Sequence, residues 1–239
     1  MVDLTGDSFR SDGRFREARN SAMTIVAGPS ADGDRQGTGF YRHVLKRVLD
    51  LLAVAMVALP VLLVLLPLMA LVALDGHSPL FFQKRLGRGG RVFRIVKLRT
   101  MVPDAEAVLQ ATLARDPEAR AEWDHHQKLR RDPRVTRVGA LLRKTSLDEL
   151  PQLFNVVAGD MSLVGPRPMM PEQRALYPGH EYFAMRPGLT GFWQVSARHE
   201  TGFAERAAFD GRYHEEMSLL TDIKVMWRTL HVVARGTGC

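Results

Sequence analysis

The sequence predicts a mostly α-helical protein with one small β-hairpin, held at a membrane by a proline-bent re-entrant helix and interfacial amphipathic helices. Three observations predict this. Leu51 to Leu74 is an apolar run uninterrupted by charge, two short β-rich stretches flank Gly87-Arg88-Gly89-Gly90, and helix-forming patterns fill most of the remainder. At about 1.5 Å rise per residue, a run of about 24 residues is long enough to cross a hydrocarbon core of about 30 Å.

The shape of that run follows from its prolines and its flanks. Pro60 lies near its middle, where the ring removes a backbone hydrogen bond and crowds the preceding turn, so a bend is expected there; Pro67 is secondary. Arg42, Lys46 and Arg47 precede the run, and Lys84, Arg85, Arg88, Arg91, Arg94, Lys97 and Arg99 follow it. Positive residues favour the cytoplasmic side, so a hairpin entering and leaving the same leaflet satisfies both flanks, whereas a straight span strands one of them. A kinked span is the alternative reading.

Residues 1–39 are rich in Gly, Ser, Asp and Arg and are expected to form a disordered polar tail, leaving 40–75 as lead-in and membrane helix and 76–239 as a cytoplasmic domain. The lead-in, Phe40 to Asp50, sets Tyr41, Val44, Leu45, Val48 and Leu49 at helical spacing opposite its basic residues. Leu80 to Arg85 and Arg91 to Leu98, joined through the glycine cluster, read as a hairpin. Pro103 to Lys128 reads as an exposed helix or a helical pair broken at Pro117. Glu205 to Met217 and Leu219 to Val233 read as helices. The last carries Ile223, Met226, Trp227, Leu230 and Val233 on one face, which suits either a membrane surface or a core.

The 239 residues include 33 Lys plus Arg against 26 Asp plus Glu, a net charge of +7. Such a surface prefers anionic partners such as acidic lipid, phosphate-bearing substrates or nucleic acid. The one cysteine, Cys239, excludes a disulfide framework and a cysteine-based metal site. No signal peptide is expected before the apolar run. The histidines show no zinc-ligand spacing, and no dinucleotide-binding or Walker glycine loop occurs.

Chemistry concentrates between residues 143 and 194. Arg143-Lys144-Thr145-Ser146-Leu147-Asp148-Glu149-Leu150-Pro151 joins two cations, two hydroxyls and two adjacent carboxylates. Ser146 with Glu149 also fits a helix capping box, so structural and catalytic readings both stand. Gly165-Pro166-Arg167-Pro168 and Arg186-Pro187-Gly188 each place an arginine in a stiff frame, suited to bidentate contact with phosphate. Trp193 and Gln194 could frame a base or sugar, with a buried tryptophan as the equal alternative. Together these supply the parts of phosphoryl transfer: a nucleophile or metal ligand, charge neutralisation and donors for phosphate.

The segments Lys97-Leu98-Arg99-Thr100-Met101, Thr145 to Leu153, Gly159 to Pro168 and Arg186 to Val195 closely resemble the bacterial sugar transferase family, the monotopic polyprenyl-phosphate phosphoglycosyl transferases, in its short exopolysaccharide-initiating form. The resemblance covers Tyr41 to about Val233. It implies transfer of a sugar 1-phosphate from a UDP-sugar to undecaprenyl phosphate with release of UMP, in the bacterial inner membrane and from its cytoplasmic face. Asp148 matches the nucleophile that forms a covalent phosphosugar intermediate, Glu149 its acidic partner, and Mg²⁺ is the expected cofactor, held by these two. Arg143, Lys144, Arg167 and Arg186 are expected to bind substrate phosphate, and Lys97, Arg99, Trp193 and Gln194 to contact nucleotide or sugar. Many members carry Ser before the bending proline, whereas Leu59 stands there in this chain. The competing reading is a membrane-tethered binding protein for anionic lipid or nucleic acid. That reading accounts for the charge and the apolar run but leaves the adjacent acids among the arginines unexplained, because they would weaken simple anion binding.

Overall fold

The computed structural model describes residues 37–126, 129–196 and 203–234. The tail expected over residues 1–39 lies outside the described residues apart from its end, which joins a helical turn at Gly37–Phe40. A π-helical turn, Tyr41–Leu45, then runs into α1, Lys46–Val72, which stays helical through both Pro60 and Pro67. The hairpin follows as β1, Leu80–Leu86, and β2, Val92–Leu98, antiparallel with Leu80 opposite Leu98 and Leu86 opposite Val92. The expected helical pair is α2, Ala105–Arg115, and α3, Pro117–His126. Asp116 separates them because its side chain accepts from Glu118 and Ala119 N–H, capping the second helix.

The rest of the domain is short elements around the hairpin. Helix α4, Arg137–Thr145, leads through a 3₁₀ turn, Leu147–Glu149, to α5, Gln152–Ala158. Strand β3, Ser162–Val164, pairs in parallel with β4, Gly188–Thr190, with the turn of α6, Glu181–Ala184, between them in sequence. Helices α7, Phe192–Ser196, α8, Arg206–Glu216, and α9, Leu219–Ala234, complete the described chain. The fold is thus mostly helical, with one small antiparallel hairpin and one long apolar helix, as expected.

The apolar helix is rooted in the domain by ions. Asp222 of α9 is buried and accepts from Tyr41 Oη at 2.6 Å, Lys46 Nζ at 2.5 Å and Tyr213 Oη at 2.7 Å. One helical turn on, buried Asp50 accepts from Ser162 Oγ at 2.7 Å. Arg47 donates to Val156 O and Val157 O, adding a charged donor to the carbonyl end of α5. The far end is latched by Arg99, whose guanidinium holds Asp75 at 2.6 Å and Val72 O at 3.0 Å.

Between these anchors α1 touches the domain on either side of Pro60. Val54 packs with Phe93, Ile95, Val156 and Met161, while Leu65 and Val72 pack with Leu98 and Leu142. Residues 55–64 carry no buried side chain, and Met56, Leu59 and Leu63 are exposed. The segment Tyr41–Asp75 is long and apolar enough to cross a bilayer, and only 11% of its most apolar stretch is buried in the protein.

The amphipathic stripe of α9 turns out to be two faces. Asp222 and Val225 enter the core, whereas Ile223, Trp227, Leu230 and Val233 are exposed with Leu219 and Leu220. Core packing of the whole stripe is therefore not realised; the chain buries instead the neighbouring face that carries the ion-pairing aspartate.

Removing one member of a buried ion cluster leaves the others unpaired, which costs about 3–5 kcal/mol. Asp222→Ala is expected to lower the thermal unfolding midpoint of detergent-solubilised protein accordingly, and Lys224→Ala, exposed on the same helix, to leave it within about 0.5 kcal/mol of the parent. Equal midpoints for the two variants would remove the root assigned to α1.

Candidate active site

The acidic pair is placed by a close helix-to-strand approach. Gly139 of α4 lies against Thr100, at the end of β2, where an added Cβ would fall 2.0 Å from the Thr100 carbonyl oxygen. Thr136 caps α4 by accepting from Gly139 N–H and itself donates its backbone N–H to Thr100 O. One turn later Arg143 Nε reaches Thr100 Oγ1 at 2.9 Å. The chain then reverses at Ser146, in the left-handed region with φ 57°, the one non-glycine residue there among the described residues. That conformation costs of order 1–3 kcal/mol and is typical of segments held for function.

The reversal delivers Asp148 and Glu149 to the face of the hairpin. Glu149 Oε1 accepts from Lys97 Nζ at 2.8 Å. The capping box is not formed: Ser146 makes no side-chain cap bond, and α5 begins beyond Pro151. Asp148 is only 8% exposed. Burial pushes its carboxyl above the usual carboxylate range and the Glu149 charge adds to this, while Lys97 and Arg143 pull it back. A buried acid between two cations is the arrangement expected of a group tuned for chemistry.

Beside the pair opens a small hollow lined by Arg85, Lys97, Glu149, Gln152, Arg167 and Gln194. Arg85 comes from β1, where its guanidinium donates to Gln83 Oε1 at 2.6 Å, and Arg167 is held by the Gly165 to Pro168 loop and by Trp193. The loop is fixed where Gly165 crosses Gly188, since a Cβ on Gly188 would lie 2.1 Å from Gly165 N, and Met169 O accepts from Leu86 N at the end of β1. Trp193 is buried, with the Arg206 guanidinium 4.1 Å and the Arg167 guanidinium 5.7 Å from its ring centroid. It therefore serves as a seat for arginines.

This cluster is short of partners. Arg85, Arg167 and Arg206 have no carboxylate within ion-pair distance among the described residues. Arg85 Nε, Arg206 Nε and both amide atoms of buried Gln194 make no hydrogen bond among the described residues. Burial pushes Arg85 down to about 10, helped by the Arg167 charge, and acts likewise on Arg206, also to about 10. Buried donors left unpaired are costly, and an anionic ligand would satisfy them. Mg²⁺ typically takes one or two carboxylates together with substrate phosphates, and the adjacent acids facing this arginine cluster fit that donor set.

The sequence-based site is thus partly assembled. Lys97, Arg143, Asp148, Glu149, Arg167 and Gln194 come together. Lys144 is exposed on the last turn of α4. Arg99 spends its donors on Asp75, Val72 O, Ser78 O and Met101 O, so it latches α1 instead of facing the hollow. Arg186 donates to Gly159 O at 3.0 Å and lines a different hollow. Sequence reasoning missed Arg85, Gln152 and Arg206. Arg85 was reachable, because the hairpin register puts it on the same face as Lys97, whereas Arg206 belongs to no motif.

Behind Arg206, Asp210 accepts from Tyr177 Oη at 2.7 Å, and burial pushes it up to about 7. A raised carboxyl means the folded state holds the proton more tightly than the unfolded chain. Its stabilising effect is therefore full at acid pH and fades as pH rises through about 7. The thermal midpoint is expected to fall between pH 5 and pH 8 and Asp210→Asn to flatten that fall; an unchanged slope in the variant would contradict the assignment.

With this geometry established, comparison with known proteins is specific. The family described as "Bacterial sugar transferase" matches residues 41–236. The chain is 45% identical over 196 residues to the "UDP-galactose-lipid carrier transferase" of Erwinia amylovora and 43% identical over 196 residues to the "Undecaprenyl-phosphate galactose phosphotransferase" of Salmonella typhimurium. Each match covers 81% of this chain and 41% of the relative, so the chain spans about two-fifths of their length. It is 39% identical over 227 residues to the "Exopolysaccharide production protein ExoY" of Sinorhizobium fredii, covering 94% of this chain and 99% of that protein. The matched span runs from Tyr41 at the root of α1 through the acidic pair and both arginine loops, and on that ground the chain belongs to the bacterial sugar transferase family.

Proposed function

We propose that this protein is a polyprenyl-phosphate sugar phosphotransferase that moves a sugar 1-phosphate from a UDP-sugar to undecaprenyl phosphate, releases UMP, and so initiates exopolysaccharide or related glycan synthesis. The observation that carries the reading is buried Asp148 beside Glu149, flanked by Lys97 and Arg143, next to a hollow of unpaired arginine and glutamine donors. The names of the relatives agree with it.

In this reading the diphosphate of the nucleotide sugar is drawn to Arg85, Arg167 and Arg206, which neutralise charge that would repel a carboxylate nucleophile. An Asp148 oxygen attacks the sugar-bearing phosphorus, an acyl-phosphate bond forms, and the bond to the bridging oxygen breaks with its electron pair leaving on UMP. The lipid phosphate oxygen then attacks the same phosphorus, producing the lipid diphosphate sugar and restoring the Asp148 carboxylate. Lys97 holds Glu149 in place throughout, and burial of Asp148 shields the intermediate from water. Mg²⁺, when bound, would be held by Asp148 and Glu149 and would supply further neutralisation of phosphate charge.

The membrane placement proposed is monotopic. Residues 40–75 form a re-entrant anchor bent near Pro60, and 76–239 form the catalytic domain at the cytoplasmic face of the inner membrane. Both ends of α1 fastened to one domain, and the absence of buried side chains over residues 55–64, support this. The exposed apolar face of α9, with Trp227 and Leu230, suits the lipid interface.

The test supplies UDP-sugars labelled in the β-phosphate to solubilised enzyme with Mg²⁺. Wild type is expected to release UMP and to carry label on Asp148 when undecaprenyl phosphate is withheld. Asp148→Asn should lose turnover by at least about a thousandfold and take no label, because an amide cannot form the acyl phosphate. An Asn variant turning over at near the wild-type rate would refute the mechanism, and a protein that binds undecaprenyl phosphate without releasing UMP from any UDP-sugar would be a tethered binding protein.

A further inference from the structure

A second basic hollow, of about 230 Å³, lies apart from the acidic pair and is lined by Arg88, Arg91, Arg186, Asp160, Phe93 and Gly159. Three stretches of chain far apart in sequence build it. The glycine-rich hairpin turn brings Arg88 and Arg91, the turn after α5 brings Gly159 and Asp160, and the approach to β4 brings Arg186. Arg186 is aimed by its bond to Gly159 O, and the charges of Arg47, Arg88 and Arg91 all bear on it. The one acid lining the hollow among the described residues, Asp160, is taken by Arg91 at 2.5 Å. Nearby Asp50 is occupied by Ser162. Arg88 is exposed and has no carboxylate partner among the described residues, so the hollow is cationic in excess.

Its position says what kind of anion it suits. Arg47, whose charge reaches Arg186, stands one turn before Leu51, where the apolar run begins, and Phe93 of the hollow's wall packs on Val54 of that run. Exposed Val48 and Val92 follow Arg47 and Arg91 in the chain, and exposed Val157 accepts from Arg47 through its carbonyl. Cations at the root of a lipid-embedded helix, with bare apolar side chains beside them, match a phosphate that carries acyl or prenyl chains better than a free one. The volume suits a headgroup and is small for a nucleotide sugar.

We propose that this hollow is a second phosphate site, distinct from the one at Asp148, and that it takes the phosphate of an anionic lipid at the bilayer surface through Arg88 and Arg186. The inference rests on the proposed membrane placement of α1 and is independent of the transfer chemistry.

The test counts bound lipid by native mass spectrometry on the full chain carrying Asp148→Asn, released from detergent. Its probes are dioctanoylphosphatidylglycerol, farnesyl phosphate, dioctanoylphosphatidylcholine and inorganic phosphate. The Asp148→Asn parent is expected to retain one phosphatidylglycerol or one farnesyl phosphate that Arg88→Gln and Arg186→Gln each weaken by about tenfold or more, while Arg206→Gln keeps it. Loss of phosphatidylglycerol identifies a bulk acidic lipid, and loss of farnesyl phosphate alone identifies the prenyl phosphate; either supports the site. The Arg88 side chain has no hydrogen-bond or ion-pair partner among the described residues, so the result for Arg88→Gln stands even where Arg186→Gln disturbs packing. Undiminished binding in both variants, loss through Arg206→Gln instead, or displacement by inorganic phosphate at equal concentration would overturn the proposal. UMP release by the same variants in the Asp148 background separates this outcome from failure of the proposed transfer reaction.

Discussion

Everything about the site depends on one buried carboxylate, Asp222, shared by Tyr41, Lys46 and Tyr213. An apolar helix has little reason to prefer one orientation on a domain, since its leucines and valines pack equally well in lipid. A buried ion pair with two phenol donors has one geometry, and breaking it strands charge. The cluster therefore fixes where α1 leaves the protein. Arg47 and Asp50 extend the same anchorage to α5 and β3, and Asn155 of α5 holds β2 by accepting from Val96 N–H and donating to Arg94 O. Through β2 the constraint reaches Lys97 and so Glu149. Arg99, two residues further on, closes the circuit at the other end of α1.

The electrostatic layout separates two tasks. Around the acidic pair, cations are balanced closely enough that Glu149 is paired and Asp148 is held back from full acidity by burial. On the flank formed by Arg85, Arg167 and Arg206, positive charge is in excess and desolvated, offset only in part by the charges of Glu149 and Glu172 on Arg85 and of Asp210 on Arg206. Such a surface is unfavourable by itself and becomes favourable when an anion arrives. The strained reversal at Ser146 belongs to the same economy, because it turns the acids toward the hairpin instead of letting α4 continue.

Much of this was legible in the sequence wherever the signal was local. Alternation around the glycine cluster marked the hairpin, Asp116-Pro117 marked the break between α2 and α3, and the adjacent acids among cations marked the centre of the site. What escaped depends on pairing across long separations. Strands β3 and β4 are three residues each, too short for a periodic pattern, yet their parallel pairing decides that Arg167 faces the acids while Arg186 does not. Arg99 stands two residues from Lys97 in a shared motif, but the end of α1 captures it. For Trp193 a ligand platform and a buried ring stood as equal readings; the ring is buried in α7, and nothing local signals that two guanidinium groups will lie over it. The stripe on α9 had the right period for a core face, and only Asp222 on the adjoining face shows why the helix rolled the other way.

In the proposed membrane placement both ends of one apolar helix return to one side of the bilayer, where a single domain holds them. This placement is tested most directly by single cysteines at exposed positions 43 and 84, introduced in a Cys239→Ser background and challenged with a membrane-impermeant maleimide on intact spheroplasts. The account expects neither position to react until the membrane is permeabilised, and both to react afterwards. Labelling of position 43 from outside, with position 84 protected, would make α1 a spanning helix and contradict the account.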